Sequence, residues 1–503
     1  MLGRKTFVVL VAKILASIIG LVGLIYTSRL LGPEINGQVS WALALITTFN
    51  SISDFGFAAA HIKRVSEGKD LNDCISTYAA TKLLLTVGMV VCTSAYILIW
   101  KALDPTALTE SDLQVLFLIV LYSVFYNVSS IFWITYEGRM EAVKTQLISL
   151  AEPLSRTPLM IFVSLGGYGA YELALTYVVG GIVMSVVGIF LFSRENFHWK
   201  RPTMFRSYLI YALPISLITV FGTISWNLDK LVIEAFGSTT DVAFFSQPQT
   251  LLGVLGFVGG AVVALTFPAF SRMHSKGDLD GIRTVTHQSE RYISMIALPI
   301  AVVIVLFPSE TVVTFLGELY LPAAEPLRIL TIGTYIGLLS MAYSPQIGGT
   351  NRPDITAKLV AFNLILNVAL LLVFVPSSFA GLQMLGLGVA GAAMVSVIIS
   401  FTFLIMVRVI VYQLTRTKSN PRILLHILAG LLSGAILFLI FQFYPIEHWY
   451  DLMLYGLLEI PIFTGLMVLF RELTKYDIQY FLEVLNPKDM AFYISDEMKN
   501  KRK

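Results

Sequence analysis

Apolar runs long enough to form a membrane-crossing helix recur along this chain, and that recurrence limits its fold more than any other feature. A helix needs about 20 apolar residues to span a bilayer. Runs near 7–30, 37–60, 76–100, 113–135, 145–166, 170–192, 207–233, 243–267, 288–308, 325–348, 356–376, 386–410, 423–443 and 450–470 meet that length. They predict about fourteen transmembrane helices in an all-α, multi-pass membrane protein. The runs are continuously apolar, without the alternation over about ten residues that marks barrel strands. Composition agrees: 56% of residues are hydrophobic and 13% charged, against roughly 25% charged in a soluble domain.

The charges between the runs alternate in sign. Counting from the N-terminus, the even connections hold Lys63, Arg64 and Lys69, then Arg139 and Lys144, then Arg194, Lys200, Arg201 and Arg206, and the pattern continues to Arg422. The odd connections hold Glu34, then Asp104, Glu110 and Asp112, then Glu234 and Asp241, with Lys101 as the basic exception. By the positive-inside bias, both termini are expected in the cytoplasm. The first run is too long and too weakly bounded for a cleaved signal, so it reads as a retained span. The basic end of the tail, Lys499–Lys503, reads either as an inner-leaflet contact or as a disordered tail.

Several function classes drop out. A net charge of +3 is too small to argue for nucleic acid. Two cysteines, Cys74 and Cys92, build neither a disulfide framework nor a metal site. The six histidines show no ligand spacing and read as solvated loop residues. No nucleophile elbow, paired metal-binding histidine motif or nucleotide-binding lysine loop is present, so no enzyme activity and no bound cofactor are expected, apart from a coupling proton or sodium ion.

The chain carries an internal echo. Leu30–Ala42 resembles Ala235–Pro248, Ser66–Ile75 resembles His274–Arg283, and Gly138–Lys144 resembles Asn351–Lys358, at offsets drifting from about 205 to 213. The repeat unit holds six spans. The expected organisation is a first lobe over 1–206, a second over 207–422, and two additional helices with a basic tail over 423–503. Parallel repeats of this kind place a site between or within the lobes, near mid-membrane.

Charge inside a span costs roughly 2.5–3.5 kcal/mol at a helix centre and persists where it is paired or lines a wet cavity. Lys13 and Lys82 each interrupt an apolar run in the cytoplasmic half. They read either as a phosphate-receiving pair or as stems snorkelling to the interface. Arg29 ends the first span, as an outer anchor, a partner of Glu34 or a cavity cation. Glu152 and Arg156 sit one helical turn apart and can neutralise one another; Pro153 and Pro158 loosen their helix. Asp54 can pair with Lys13 or Lys82 or carry an ion. Asp229 and Lys230 are adjacent, so only one of them is expected to face a cavity. Asn50, Asn127 and Asn227 offer hydrogen bonds to sugar hydroxyls or to neighbouring helices.

The motif Arg-Leu-Leu-Gly-Pro-Glu-x-x-Gly (Arg29–Gly37), followed by Asp-Phe-Gly (Asp54–Gly56), resembles the polysaccharide-biosynthesis flippases of the multidrug/oligosaccharidyl-lipid/polysaccharide exporter superfamily. Asn227–Gly237 and Leu316–Tyr320 resemble the same family's second half, and Ala60–Leu71 looks like its archaeal members. The resemblance implies two six-helix lobes in a V, alternating access, and a lipid-linked saccharide joined to a polyprenyl or dolichyl carrier through phosphate or pyrophosphate. It implies cavity roles for Lys13, Arg29, Asp54, Lys82 and Arg156, the four cations as substrate-binding groups; Asp54, and from the residues themselves Glu152 and Asp229, are expected as cavity acids or ion-coupling groups. The expected protein is a monomeric plasma-membrane flippase whose partners are the lipid-linked oligosaccharide, membrane lipids and glycan-assembly enzymes. The rival readings are a cation-coupled multidrug exporter and a membrane glycan polymerase or ligase.

Overall fold

The computed structural model describes residues 2–473 apart from 107, 196 and 351, together with residue 477. The basic tail end expected at the inner leaflet, Lys499–Lys503, lies outside the described residues. Helices dominate: α1 (Leu2–Asp54), α2 (Phe57–Ser66), α3 (Leu71–Leu103), α4 (Glu110–Gly138), α5 (Ala142–Leu165), α6 (Ala170–Phe192), α7 (Phe205–Phe236), α8 (Thr239–Ser275), α9 (Leu279–Leu306) and α10 (Pro308–Phe315) come first. A 3-10 turn (Glu318–Ala323) then leads to α11 (Ala324–Ser340), α12 (Ser344–Gly349), α13 (Pro353–Phe374), α14 (Gly388–Thr415), α15 (Ile423–Phe443) and α16 (Trp449–Leu469). A two-residue antiparallel hairpin, Ser378–Phe379 with Leu382–Gln383, caps the α13–α14 connection. Among the described residues, 11 helices are long and apolar enough to cross a membrane. The α5 helix, carrying Glu152 and Arg156, and the 17-residue α11 fall outside that set.

The first two predicted runs form one broken helix. Gly32 takes φ 77° and ψ −179° inside α1, a conformation open to glycine and costly for other residues. Pro33 then opens the second segment, where its missing N–H has no helical partner to lose. The break leaves carbonyls without partners. Asn36 Nδ2 donates to Thr27 O at 2.9 Å and to Gly32 O at 2.7 Å, and the Tyr320 hydroxyl donates to Gly32 O at 3.2 Å. The Gly-Pro-Glu-x-Asn-Gly sequence therefore specifies a kink together with the groups that satisfy it.

The predicted run 37–60 ends early. Phe55 (φ 41°) and Gly56 (φ 78°) break the helix after Asp54, and α2 restarts it. Apolar composition continues through the break, so periodicity alone did not mark it.

Helices α4, α5 and α6 pack on one another, with α1 against α5 and α3. Later in the chain α11 packs on α14 and α9, and α7 on α13. The two groups meet where α1 crosses α7 and α8. Helix α15 leans on α9 and α16, away from that contact. Large apolar side chains such as Leu84, Phe117 and Leu431 point outward, as lipid-facing residues do.

Two histidines depart from the solvated-loop reading. His61 is fully buried; its ring nitrogens contact the Tyr208 hydroxyl and Thr135 Oγ1, both at 2.9 Å. His426 is buried in α15, with Nε2 3.7 Å from Glu472. His61 lies mid-way along the ten-residue α2 and His426 in the first turn of α15, where each docks against a neighbouring segment that the sequence does not reveal.

Candidate functional site

A cavity of about 380 Å³ opens where α1, α5 and α6 face α7 and α8. Its polar lining comes from both sides of that contact. Thr27, Asn36, Ser40 and Thr47 come from α1, Tyr177 from α6, Asn227 from α7, and Ser246, Gln247 and Thr250 from α8. Two charged groups line it, Arg156 on α5 and Lys230 on α7. No lining residue is acidic among the described residues.

Arg156 is held on two sides. Its Nε lies 2.8 Å from Glu152 Oε1, and its guanidinium sits 4.3 Å from the centre of the Tyr177 ring. The pair expected from the one-turn spacing therefore forms, and its cationic member also lines the cavity. Such a fixed, planar cation suits a phosphate oxygen, because the fork arrives pre-oriented. Lys230 approaches from α7 with its ammonium 5.9 Å from the Trp226 ring centre.

The structure separates the other predicted residues from this cavity. Lys82 is 3% exposed, and its Nζ lies 3.8 Å from Asp54 Oδ1 and 3.5 Å from Ser53 Oγ. Ser53 Oγ also contacts Asn127 Oδ1 at 3.0 Å, and Asn127 Nδ2 donates to Asn50 Oδ1 at 2.7 Å. Asp54 Oδ1 further accepts from the Ala58 amide at 3.2 Å, which ties α2 to the end of α1. The buried lysine is thus matched by a carboxylate at a helix break, and the asparagines serve as glue between helices. Arg29 donates to the carbonyls of Val313 and Thr314 at 3.1 and 2.6 Å, satisfying the end of α10. Lys13 is exposed, and the structure does not join it to Lys82.

The Asp54–Lys82 pair supports an asymmetric expectation. Removing one member of a buried pair costs roughly 3–5 kcal/mol when the remaining charge stays buried. Asp54→Asn strands Lys82 and is expected to lower the unfolding temperature in detergent strongly. Lys82→Met strands the more exposed Asp54 and should lower it less. The double variant should recover most of the loss; equal losses in all three would remove the pairing argument.

Asp229 faces a second cavity, of about 400 Å³, among α7, α8, α11, α13 and α14. It is 7% exposed. Its Oδ1, together with Asn363 Oδ1, Asn367 Oδ1 and Ser225 Oγ, is buried with no hydrogen-bond partner, and all four residues line that cavity. Adjacent residues on a helix point in directions about 100° apart. Both Asp229 and Lys230 therefore reach a cavity, each a different one, where the sequence favoured one of the two. Lys230 is the cavity-lining cation that the sequence undervalued. The signal available was the charge pair itself, inside an otherwise apolar run.

The model of the family described as polysaccharide biosynthesis protein matches residues 2–274. The chain belongs to the polysaccharide biosynthesis protein family. The matched stretch contains both charged walls of the central cavity. An uncharacterized membrane protein of Methanocaldococcus jannaschii is 22% identical over 217 residues, which cover 41% of this chain and 43% of that protein. The chain thus spans less than half the length of that relative. The putative O-antigen transporter of Shigella flexneri is 21% identical over 71% of this chain and 86% of its own length. The probable low-salt glycan biosynthesis flippase Agl15 of Haloferax volcanii is 20% identical over 74% and 78%. Among solved structures, the lipid II flippase MurJ in an inward closed conformation superposes with a TM-score of 0.75 at 13% identity, over 92% of this chain and 98% of that one. An inward-facing transporter of a multidrug resistance MATE family of the MOP superfamily gives 0.60 at 17% identity, over 80% and 96%. The polysaccharide biosynthesis family and the exporter-superfamily fold thus agree with the resemblance drawn from Arg29–Gly37 and Asn227–Gly237.

Proposed function

We propose that this protein moves a lipid-linked oligosaccharide, its sugar joined to a polyprenyl carrier through phosphate or pyrophosphate, from the cytoplasmic to the outer leaflet of the cell membrane. The observation that carries the reading is the charge of the central cavity: two cations, no acid, and a lining rich in hydroxyls and amides. Phosphate would lie against Arg156 and Lys230, and sugar hydroxyls against Asn36, Asn227 and Gln247. Names of the relatives point the same way, as an O-antigen transporter and a glycan flippase. A multidrug exporter for cationic drugs needs an acidic central cavity, and this lining is the opposite.

In this reading α1 contributes two crossings and the chain makes fourteen, as two six-helix lobes in a V plus α15 and α16. The basic connections then lie in the cytoplasm. The central cavity is the size of a drug pocket, ~300–1,000 Å³, so the lobes must part to admit an oligosaccharide. Asp229 and the unpaired oxygens around it would hold a coupling sodium ion or proton, with no enzymatic step involved. A monomer suffices, and glycan-assembly enzymes would supply and consume the substrate.

The test is movement of a fluorescent lipid-linked oligosaccharide across liposomes containing the purified protein. Protein-dependent loss of inner-leaflet label is expected. No movement, with the fold intact and an imposed sodium or proton gradient, would overturn the proposal. Protection of expressing cells from cationic dyes would then favour the drug-exporter reading.

A further inference from the structure

Arg156 meets the central cavity with a carboxylate at its back. Arg156 lines that cavity and Glu152 does not. Glu152 Oε1 nonetheless stands 2.8 Å from Arg156 Nε, and the two side chains are only 13% and 18% exposed. The Tyr177 ring covers a face of the guanidinium and is itself braced by Tyr122, whose ring meets it edge-on at 5.6 Å. Helix α6 runs close against both stems. A methyl group added at Gly180 would lie 3.2 Å from Glu152 Cγ and 3.3 Å from Arg156 Cβ. The surroundings therefore hold the pair together. The remaining guanidinium donors are on its terminal nitrogens, and those are what a ligand in the cavity can meet.

A bound phosphate would share this one guanidinium with a second anion. From that arrangement we propose that Glu152 is a built-in counter-charge that lets the central cavity release a phosphate-bearing ligand. The inference rests on the phosphate reading of that cavity. A carrier must hold its cargo firmly enough to load and loosely enough to unload. Two cations in a site sheltered from water favour loading alone, because charge attraction strengthens as the dielectric falls. Glu152 opposes that attraction by repelling the phosphate across the shared guanidinium. At intermediate dielectric the repulsion is on the order of tenfold in affinity. A purely orienting role for Glu152, accepting from Arg156 Nε, has the opposite sign: losing the carboxylate would then weaken binding. Gln separates the two roles, since it keeps an acceptor oxygen for Nε and removes the charge.

The experiment uses the full chain, in nanodiscs for binding and in liposomes for transport. The binding probes are a short-chain polyprenyl monophosphate and the matching pyrophosphate, read by scintillation proximity. Flux of a fluorescent lipid-linked oligosaccharide against its concentration separates the half-saturating concentration from the maximal rate. Glu152→Gln should bind the pyrophosphate about tenfold more tightly than the wild type, with a smaller gain for the less charged monophosphate. Its half-saturating concentration and its maximal rate should both fall. Glu152→Met, which removes charge and acceptor together, should also bind more tightly than the wild type. Unfolding temperature in detergent checks each variant, and either folded variant suffices. Loss of folding in both makes Glu152 a structural partner of Arg156 and overturns the proposal. Binding equal to or weaker than wild type in a folded variant overturns the counter-charge role and leaves the phosphate reading standing, as does tighter binding with an undiminished maximal rate. Wild-type protein that binds neither probe overturns both.

Discussion

Replacing both cavity cations should abolish transport while leaving the protein folded. The variant must be built with Glu152 in mind. Arg156→Gln alone would leave the Glu152 carboxylate without its partner at 2.8 Å, and an unpaired buried charge destabilises the fold on its own account. The informative protein is therefore Glu152→Gln/Arg156→Gln combined with Lys230→Gln, where neutral, similarly shaped groups replace charged ones. A hydrogen bond to a charged group contributes about 1.5–3 kcal/mol. Losing two of them from a bound phosphate should weaken substrate binding by about 10²–10⁴-fold. Lipid-linked oligosaccharide movement in liposomes should fall to the protein-free background, while the unfolding temperature in detergent stays close to that of the wild type. Lys13→Gln, by contrast, should transport normally, because its side chain is exposed and is not part of the cavity lining. Wild-type rates in the triple variant would show that neither Arg156 nor Lys230 receives the substrate.

Those residues also mark how far the sequence could be read. Length and apolar composition were enough for the helical membrane class, because a bilayer imposes the same requirement on every span. The Gly-Pro break at Gly32–Pro33 was visible as a turn. The break at Phe55–Gly56 was not, since the sequence stays apolar through it and tertiary packing decides where the helix ends. For the candidate site, intramembrane charge was a coarse signal. It selected Lys13, Arg29, Lys82, Asp54, Glu152, Arg156 and Asp229, of which Lys13 and Arg29 are exposed and the others buried or partly buried, without saying which neutralise one another and which line the cavity. That choice depends on the rotation of each helix and on which helix faces it. Lys82 turned toward Asp54 across α1 and α3. Lys230 turned toward the cavity across α7 and α8. Rotation of this kind is fixed by contacts between segments distant in sequence. It also explains Arg29, whose partners at Val313 and Thr314 lie 284 and 285 residues away.

Gly37→Ala should hold the acidic end of the central cavity open. A methyl group at Gly37 would lie 1.9 Å from Thr239 O and 2.6 Å from its carbonyl carbon, both backbone atoms at the start of α8. No rotamer change relieves such a clash, so α1 and α8 would have to separate there. At the basic end Gly56 plays the corresponding part against α7, where an added methyl would meet Ala212 O at 2.6 Å. The cavity thus lies between two close backbone approaches, and in the proposed transport by alternating access each would have to open in turn. A side chain at one end penalises the states in which that end is closed. An energy difference of about 3 kcal/mol would shift a balanced two-state equilibrium by more than a hundredfold. The readout is thiol labelling of a single cysteine at Ser40, a cavity-lining position, in a protein with Cys74 and Cys92 replaced. Gly37→Ala should raise its labelling from the acidic side and cut transport by at least about tenfold. Gly56→Ala should favour labelling from the basic side, with added strain because its φ of 78° disfavours a side chain. Unchanged labelling and transport in Gly37→Ala would mean that the Gly37–Thr239 approach does not close the cavity during the cycle. Opposite shifts from the two variants would instead make α1 the element that both ends of the cavity close against, with Arg156 and Lys230 exposed to each side in turn.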